Sequence, residues 1–186
     1  MSDGVPRSAP AVPANAWIKP LPPAMRFILQ GGLEARAAAA RVWGAAFTEQ
    51  PCRAMTHNAR ATLWLGPDEY LLLDTLSGGT AQSALAAMQA LEEALGGIPH
   101  SLVDIGHRQL ALEVSGPHAG DILSGACPLD LNADEFPVGM CTRTALGKAD
   151  IVLWRTREDA FHLEVWRSFA GYVTGLLSEN AVEFYG

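Results

Sequence analysis

The sequence predicts an α+β fold made of two pseudo-duplicated halves, each reading strand, helix, hairpin, helix. Short apolar runs alternate with alanine-rich or amphipathic stretches from residue 27 onward. Ala61-Thr62-Leu63-Trp64-Leu65 with its turn and Tyr70-Leu71-Leu72-Leu73 also matches Ile151-Val152-Leu153-Trp154 with its turn and Phe161-His162-Leu163-Glu164-Val165, the two tryptophans lying 90 positions apart. Phe27 to Gly32 plus the following helix likewise matches Gln109 to Gly116 plus its helix. Helices packed on antiparallel sheet are the economical solution for such an order. The expected boundaries are an extended proline-rich arm over 1–26 and one α+β domain over 27–186, with repeats at about 27–97 and 98–186.

The elements follow from local chemistry. Phe27-Ile28-Leu29 is a short apolar strand, broken by Gly31-Gly32 before an alanine-rich helix from about Leu33 to Phe47. Ala61 to Leu65 and Tyr70 to Asp74 flank Gly66-Pro67-Asp68-Glu69, a turn-forming tetrad, and so read as a hairpin. Thr80 to Leu95 is an amphipathic helix with Leu85, Met88, Leu91 and Leu95 on one stripe, ended by Gly96-Gly97. Leu102 to Ile105 and Gln109 to Val114 are strands around Gly106-His107-Arg108. Ser115-Gly116-Pro117 opens a helix to about Ser124, with Pro117 at the first helical position where its missing donor does no harm. Strands Cys141 to Leu146, Ala149 to Thr156 and Ala160 to Trp166 follow. A last helix runs from Ser168 to about Asn180, with Phe169, Tyr172, Val173, Leu176 and Leu177 on its apolar face.

Residues 1–26 hold six of the 12 prolines and should run extended, partly as polyproline II. Two readings are open: a solvated tail, or an arm that crosses onto a partner subunit. Trp17 and Ile18 before Lys19-Pro20-Leu21 favour the arm. Charge divides the chain in the same place. The whole carries 13 Lys and Arg against 20 Asp and Glu, a net −7, yet the arm holds Arg7, Lys19 and Arg26 against Asp3 alone. The remainder is therefore a −9 body. Such an acidic chain is ill suited to nucleic acid, whose phosphates demand clustered cations. No apolar stretch approaches the roughly 18 residues of a membrane helix. Cys52, Cys127 and Cys141, odd in number and without a signal peptide, read as reduced thiols, so a cytoplasmic protein is expected.

The familiar chemical constellations are missing from the sequence. There is no GxGxxG after a strand and no GxxxxGK[ST], hence no dinucleotide or triphosphate signature. His57, His100, His107, His118 and His162 form no HxH or HExxH pair, and Ser101 and Ser115 sit in no GxSxG elbow. Gly116-Pro117-His118-Ala119-Gly120 is better read as a helix opening than as a phosphate loop. A Cys–His–Asp set can be assembled from Cys127 or Cys141 with His107 and Asp104. The simpler alternatives are a small apolar Cys127 at a helix end, Asp104 as a turn cap or the ion-pair partner of Arg108, and a half-exposed His107 on a turn. No catalytic, cofactor-binding or metal-ligating residue is assigned.

Two segments are unusual for an ordinary surface. Phe136-Pro137-Val138-Gly139-Met140-Cys141-Thr142-Arg143-Thr144 is either a loop folded into its own core or a contact surface, since apolar residues with an Arg anchor typify interface cores. Leu163-Glu164-Val165-Trp166-Arg167-Ser168-Phe169-Ala170-Gly171-Tyr172 concentrates Trp, Arg, Phe and Tyr, and some of these should meet another chain.

Val103-Asp104-Ile105-Gly106-His107-Arg108, Leu112 to Pro117, Cys127-Pro128-Leu129-Asp130-Leu131, Phe136 to Thr144, Leu146 to Arg155 and Trp64 to Leu72 together resemble the gamma subunit of heterotetrameric sarcosine oxidase. The likeness covers roughly residues 60–178; PVGMCTRT and CPLDL are its most specific stretches. The resemblance implies a fold like the folate-binding domain of aminomethyltransferases. It also implies a place in an oxidoreductase acting on CH–NH donors, which demethylates sarcosine to glycine with oxygen as acceptor, releasing hydrogen peroxide and forming 5,10-methylenetetrahydrofolate. It further implies alpha, beta and delta partner subunits, chiefly the large alpha subunit, with FAD, FMN, NAD, zinc and tetrahydrofolate on those partners and no cofactor in this chain. Two alternatives remain: a free-standing folate-binding protein of the aminomethyltransferase type, and a subunit of a related dehydrogenase of N-methyl amino acids such as N-methylglutamate.

Overall fold

The structure, a computed structural model, describes residues 17–76 and 78–185. In chain order the strands are β1 (Ile18–Pro20), β2 (Met25–Gly31), β3 (Ala54–His57), β4 (Arg60–Gly66), β5 (Glu69–Asp74), β6 (His100–Asp104), β7 (Gln109–Ser115), β8 (Cys141–Leu146), β9 (Ala149–Arg157) and β10 (Ala160–Trp166). The helices are α1 (Leu33–Trp43), α2 (Ala81–Leu95), α3 (Ala119–Ser124) and α4 (Ala170–Tyr185), with a 3₁₀ turn over Arg167–Phe169.

Two five-stranded antiparallel sheets result, one ordered β3-β4-β5-β2-β6 and the other β1-β7-β10-β9-β8. They pack face to face, and each carries a pair of helices on its outer side. Side-chain alternation shows why. Phe27, Leu29, Tyr70 and Leu72 of the first sheet join Ala38, Trp43, Leu91 and Leu95 in a core beneath α1 and α2. Their neighbours Leu63, Leu71 and Leu73 point the other way and meet Cys141 and Val152 of the second sheet. Phe161, Leu163 and Val165 of β10 pack under α3 and α4 with Ile122, Val173 and Leu177. Because both faces of each sheet are covered, the central strands are apolar almost throughout instead of alternating with polar residues. Each fully buried Leu or Phe contributes about 1.5–3 kcal/mol.

The edges of the sheets are exchanged. β1, which precedes β2 in sequence, pairs with β7 of the second sheet (Ile18 opposite Val114), while β6, which precedes β7, pairs with β2 of the first (Leu102 opposite Leu29). Sequence reasoning missed β1 and β3 because each is only three or four residues long. The proline-rich arm expected over 1–26 therefore reaches into the domain. Ile18 is fully buried, Trp17 stacks on Tyr185 at 4.9 Å, and Met25 and Arg26 open β2. Pro20 is tolerated because β1 is an edge strand. Residues 1–16 lie outside the described residues.

Other expectations shift by physical detail. α1 stops at Trp43, not Phe47, because Gly44 takes the left-handed conformation (φ 81°) and its N–H closes on the Ala40 carbonyl. α2 is capped by Thr80, whose hydroxyl accepts from the Ser83 N–H at 3.1 Å. Its Leu85 is 58% exposed, so the buried stripe is Ala84, Leu91 and Leu95. α3 begins at Ala119, two residues after Pro117. Phe169 and Tyr172, expected on the buried face of α4, are exposed. The pairing of Trp64 with Trp154 also fails on facing. Trp64 packs with the α1–α2 core, whereas Trp154 lies in the layer between the sheets. With a period of two, a one-residue offset in alignment reverses the side.

Candidate functional site

Three buried polar side chains converge where the two sheets meet. β2 places Arg26 and β10 places His162 and Glu164 on the facing surfaces, all three buried. The Arg26 Nε–H donates to Glu164 Oε2 at 2.6 Å, and a second guanidinium N–H donates to the Ala24 carbonyl at 3.0 Å. The His162 Nε2–H donates to Glu164 Oε1 at 2.7 Å. Burial pushes the Glu164 carboxyl up, but the hydrogen bond and charge of His162 and the Arg26 guanidinium outweigh it, so the group lies below the ordinary carboxylate range. Both carboxylate oxygens are thus engaged inside the chain, which makes Glu164 a hub holding two strands together. Nothing in the sequence motifs pointed to it. The available signal was a charged residue inside the apolar run Leu163-Glu164-Val165, and a second at Arg26 beside Phe27.

Two clefts flank this hub. One, of about 550 Å³, opens between the sheets over Ile28, Leu71, Ile105 and Val152, and Arg108, Glu164 and Trp166 line it. The other, of about 750 Å³, lies beneath the Pro20–Arg26 segment and is rimmed by Asp104, His107 and Arg167. Gln109 lines both, and its Oε1 is buried without a hydrogen-bond partner.

The Cys–His–Asp set is not brought together. Cys127 lies in the core beneath α3 and α4, its Sγ 3.9 Å from the Thr144 hydroxyl. Cys141 lies in the other layer, between the sheets, where its thiol donates to the Trp64 carbonyl at 3.6 Å. Burial pushes the Cys141 thiol up to about 12, so it is protonated at neutral pH. Asp104 accepts the Gly106 N–H at 2.8 Å and is a turn cap. Arg108 is not its ion-pair partner; the guanidinium lies over the Trp166 ring at 5.1 Å from the centroid. His107 is exposed on the turn. Among the described residues, no three His, Cys, Asp or Glu side chains are placed to share a metal ion.

Both unusual segments divide between core and surface. Phe136 is buried against Phe161, Met140 packs on the same core, and Arg143 forks onto Glu69 of the opposite sheet at 2.6 and 2.8 Å. Val138 remains half exposed. In the second segment Leu163 and Val165 are core, while Trp166, Arg167, Phe169 and Tyr172 face outward.

Residues 31–183 match the family model described as "Sarcosine oxidase, gamma subunit family". The chain belongs to that family. Among curated relatives, the sarcosine oxidase subunit gamma of Corynebacterium sp. (strain U-96) is 34% identical over 124 residues, 67% of this chain and 57% of the relative. Subunit gamma of Arthrobacter sp. is also 34% identical over 124 residues, and 58% of that relative is covered. The aligned stretch thus spans little more than half the length of either relative. In structure, the chain is similar to a chain of the heterotetrameric sarcosine oxidase from Corynebacterium sp. U-96 in complex with pyrrole 2-carboxylate. The TM-score is 0.81 at 27% identity, over 91% of this chain and 85% of that one. Aminomethyltransferase T of the glycine cleavage system from Bartonella henselae shares the fold, with a TM-score of 0.62 at 16% identity over 86% of this chain and 44% of that one. No described helix is long and apolar enough to cross a membrane.

Proposed function

We propose that this chain is the non-catalytic gamma subunit of a heterotetrameric sarcosine oxidase, with a structural and assembly role beside the large subunit. The complex oxidises the N-methyl group of sarcosine: two electrons pass to oxygen, giving hydrogen peroxide. The one-carbon unit passes to tetrahydrofolate as the 5,10-methylene form, and glycine is released. FAD, FMN, NAD, zinc and tetrahydrofolate belong to the alpha, beta and delta partners in this reading, and the complex is cytoplasmic. The observation that carries it is the likeness to a chain of a heterotetrameric sarcosine oxidase over 91% of this chain. The buried network of Glu164 with Arg26 and His162, which ties β2 of one sheet to β10 of the other, supports a framework role. The reading also takes the halves of the chain as pseudo-repeats, supported by the matching strand orders β3-β4-β5-β2 and β8-β9-β10-β7.

Co-expression with the neighbouring subunit genes, followed by native mass measurement, tests the proposal. A four-subunit assembly containing this chain is expected, while the chain alone should be colourless and turn over no sarcosine. A yellow, active preparation of the isolated chain overturns the reading.

A further inference from the structure

Cys52 and Cys141 are 89 positions apart in sequence, yet they meet at the junction of the two sheets. Arg53, just before β3, makes an antiparallel bridge to Met140, just before β8. The Ala54 N–H donates to the Gly139 carbonyl at 2.8 Å, and the Cys141 N–H donates to the Cys52 carbonyl at 2.9 Å. These two bonds flank the bridge and set Cys52 directly opposite Cys141. Residues so paired stand about 4.5–5.5 Å apart between Cα atoms, inside the roughly 4.4–6.8 Å that a disulfide spans. The thiols themselves are near enough for charge on Cys52 to push the Cys141 thiol up. Both are free.

The two thiols differ as a reacting pair requires. Cys52 is half-buried, its backbone held in the left-handed region (φ 57°) that residues other than glycine rarely occupy. Cys141 is fully buried, its thiol donating to the Trp64 carbonyl at 3.6 Å. A reagent therefore meets Cys52 first, with Cys141 behind it. Burial holds the Cys141 thiol up, and the charge of Arg53, next to Cys52 in sequence, works against that burial. Cys127 is remote from both, in the core beneath α3 and α4. An accessible thiol with no neighbour oxidises through sulfenic to sulfinic acid, which is not readily reversed. One beside a second thiol is captured as a disulfide.

We propose that Cys52 and Cys141 form a reversible peroxide-oxidation site, in which Cys52 reacts first and Cys141 closes the disulfide. The Cys52 thiolate attacks one oxygen of hydrogen peroxide and the O–O bond breaks. Hydroxide leaves and takes up a proton as water, and Cys52 becomes a sulfenic acid. The Cys141 sulfur then attacks the Cys52 sulfur and the S–O bond breaks. The departing hydroxide takes the Cys141 proton as a second water. Two thiols lose two electrons, and the peroxide gains them. Because Cys141 stays protonated at neutral pH, closure is slower than the first step, and brief labelling finds Cys52 alone. The inference does not rest on the subunit reading, although an oxidase that releases hydrogen peroxide would expose the pair to it.

The test treats the reduced full chain with hydrogen peroxide at about pH 8 and reads the intact mass and the unreduced peptide map. Wild type and Cys127→Ala should become about 2 Da lighter through a Cys52–Cys141 cross-link, and dithiothreitol should restore the mass. Cys141→Ala should instead gain about 16 Da at Cys52, as a sulfenic acid that a cyclic diketone traps. Should that variant not fold, the wild-type map decides. A wild-type chain about 32 Da heavier at Cys52, with Cys141 still reduced, overturns the proposal. So does a disulfide joining the Cys52 residues of two chains, or a Cys52 that peroxide leaves unchanged. These outcomes are independent of whether the chain assembles with partner subunits.

Discussion

Arg26 and Glu164 stand 138 residues apart in sequence, yet the Arg26 Nε lies 2.6 Å from Glu164 Oε2, both side chains essentially inaccessible to water. This contact joins β2 of one sheet to β10 of the other, in a layer otherwise filled by Leu63, Leu71, Leu73 and Val152. Removing one member of such a buried pair leaves the other charged and unpaired.

Glu164→Gln should therefore cost about 3–5 kcal/mol, lowering the melting temperature by roughly 10 °C for a chain of this size. The pH dependence has a definite sign. The folded carboxyl lies below its ordinary value of 4.5, so its stabilisation is present above that value and is lost as the pH falls through the lower folded one. Urea midpoints measured across the acid range check this. The gap between wild type and Glu164→Gln should narrow towards low pH, and a gap constant with pH contradicts the assignment.

Thiol chemistry should single out Cys52. Cys127 and Cys141 are buried, and burial holds the Cys141 thiol near 12, whereas Cys52 is half-buried on a turn. Titration of the native chain with an aromatic disulfide reagent at about pH 8 should show one reactive thiol, and all three once the chain is unfolded. Fast labelling of Cys141 in the native chain would contradict the burial described.

The β8–β9 hairpin turns at Gly147, whose φ is 59°, directly beneath α4. A Cβ there would come within 2.8 Å of Leu176 Cδ2 and would collide with the Tyr172 hydroxyl. Gly147→Ala should destabilise the chain by about 2 kcal/mol through backbone strain and overpacking together. Equilibrium denaturation measures this, and a neutral result would mean that α4 does not lie over the turn.

Truncation separates the two parts of the N-terminal segment. A chain lacking residues 1–16 serves as the reference. Removing 1–22 also deletes Trp17 and the buried Ile18, and strips the edge from β7, for a loss of about 3 kcal/mol. Equal melting temperatures for the two truncations would show that β1 contributes nothing to the sheet.

Much of the local structure was legible because its signals are local. Gly66-Pro67-Asp68-Glu69 located the β4–β5 turn, Gly147-Lys148 split β8 from β9, and Thr80 with Gly96 bounded α2. The same local logic misjudged positions whose environment is supplied from elsewhere. Leu85 fits the helical period of α2 but has nothing packed over it, and Phe169 and Tyr172 fit α4 yet are exposed.

By itself the sequence determined the order of the elements, the antiparallel hairpins, and the family to which the chain belongs. Only the tertiary structure decided that β1 and β6 exchange sheets, that Trp64 and Trp154 face different layers, and that Arg26 meets Glu164. The reason is physical. When a sheet is apolar on both faces, its pattern does not say which face meets which neighbour. A buried ion pair is specified by two chain segments that become neighbours only once both sheets have formed.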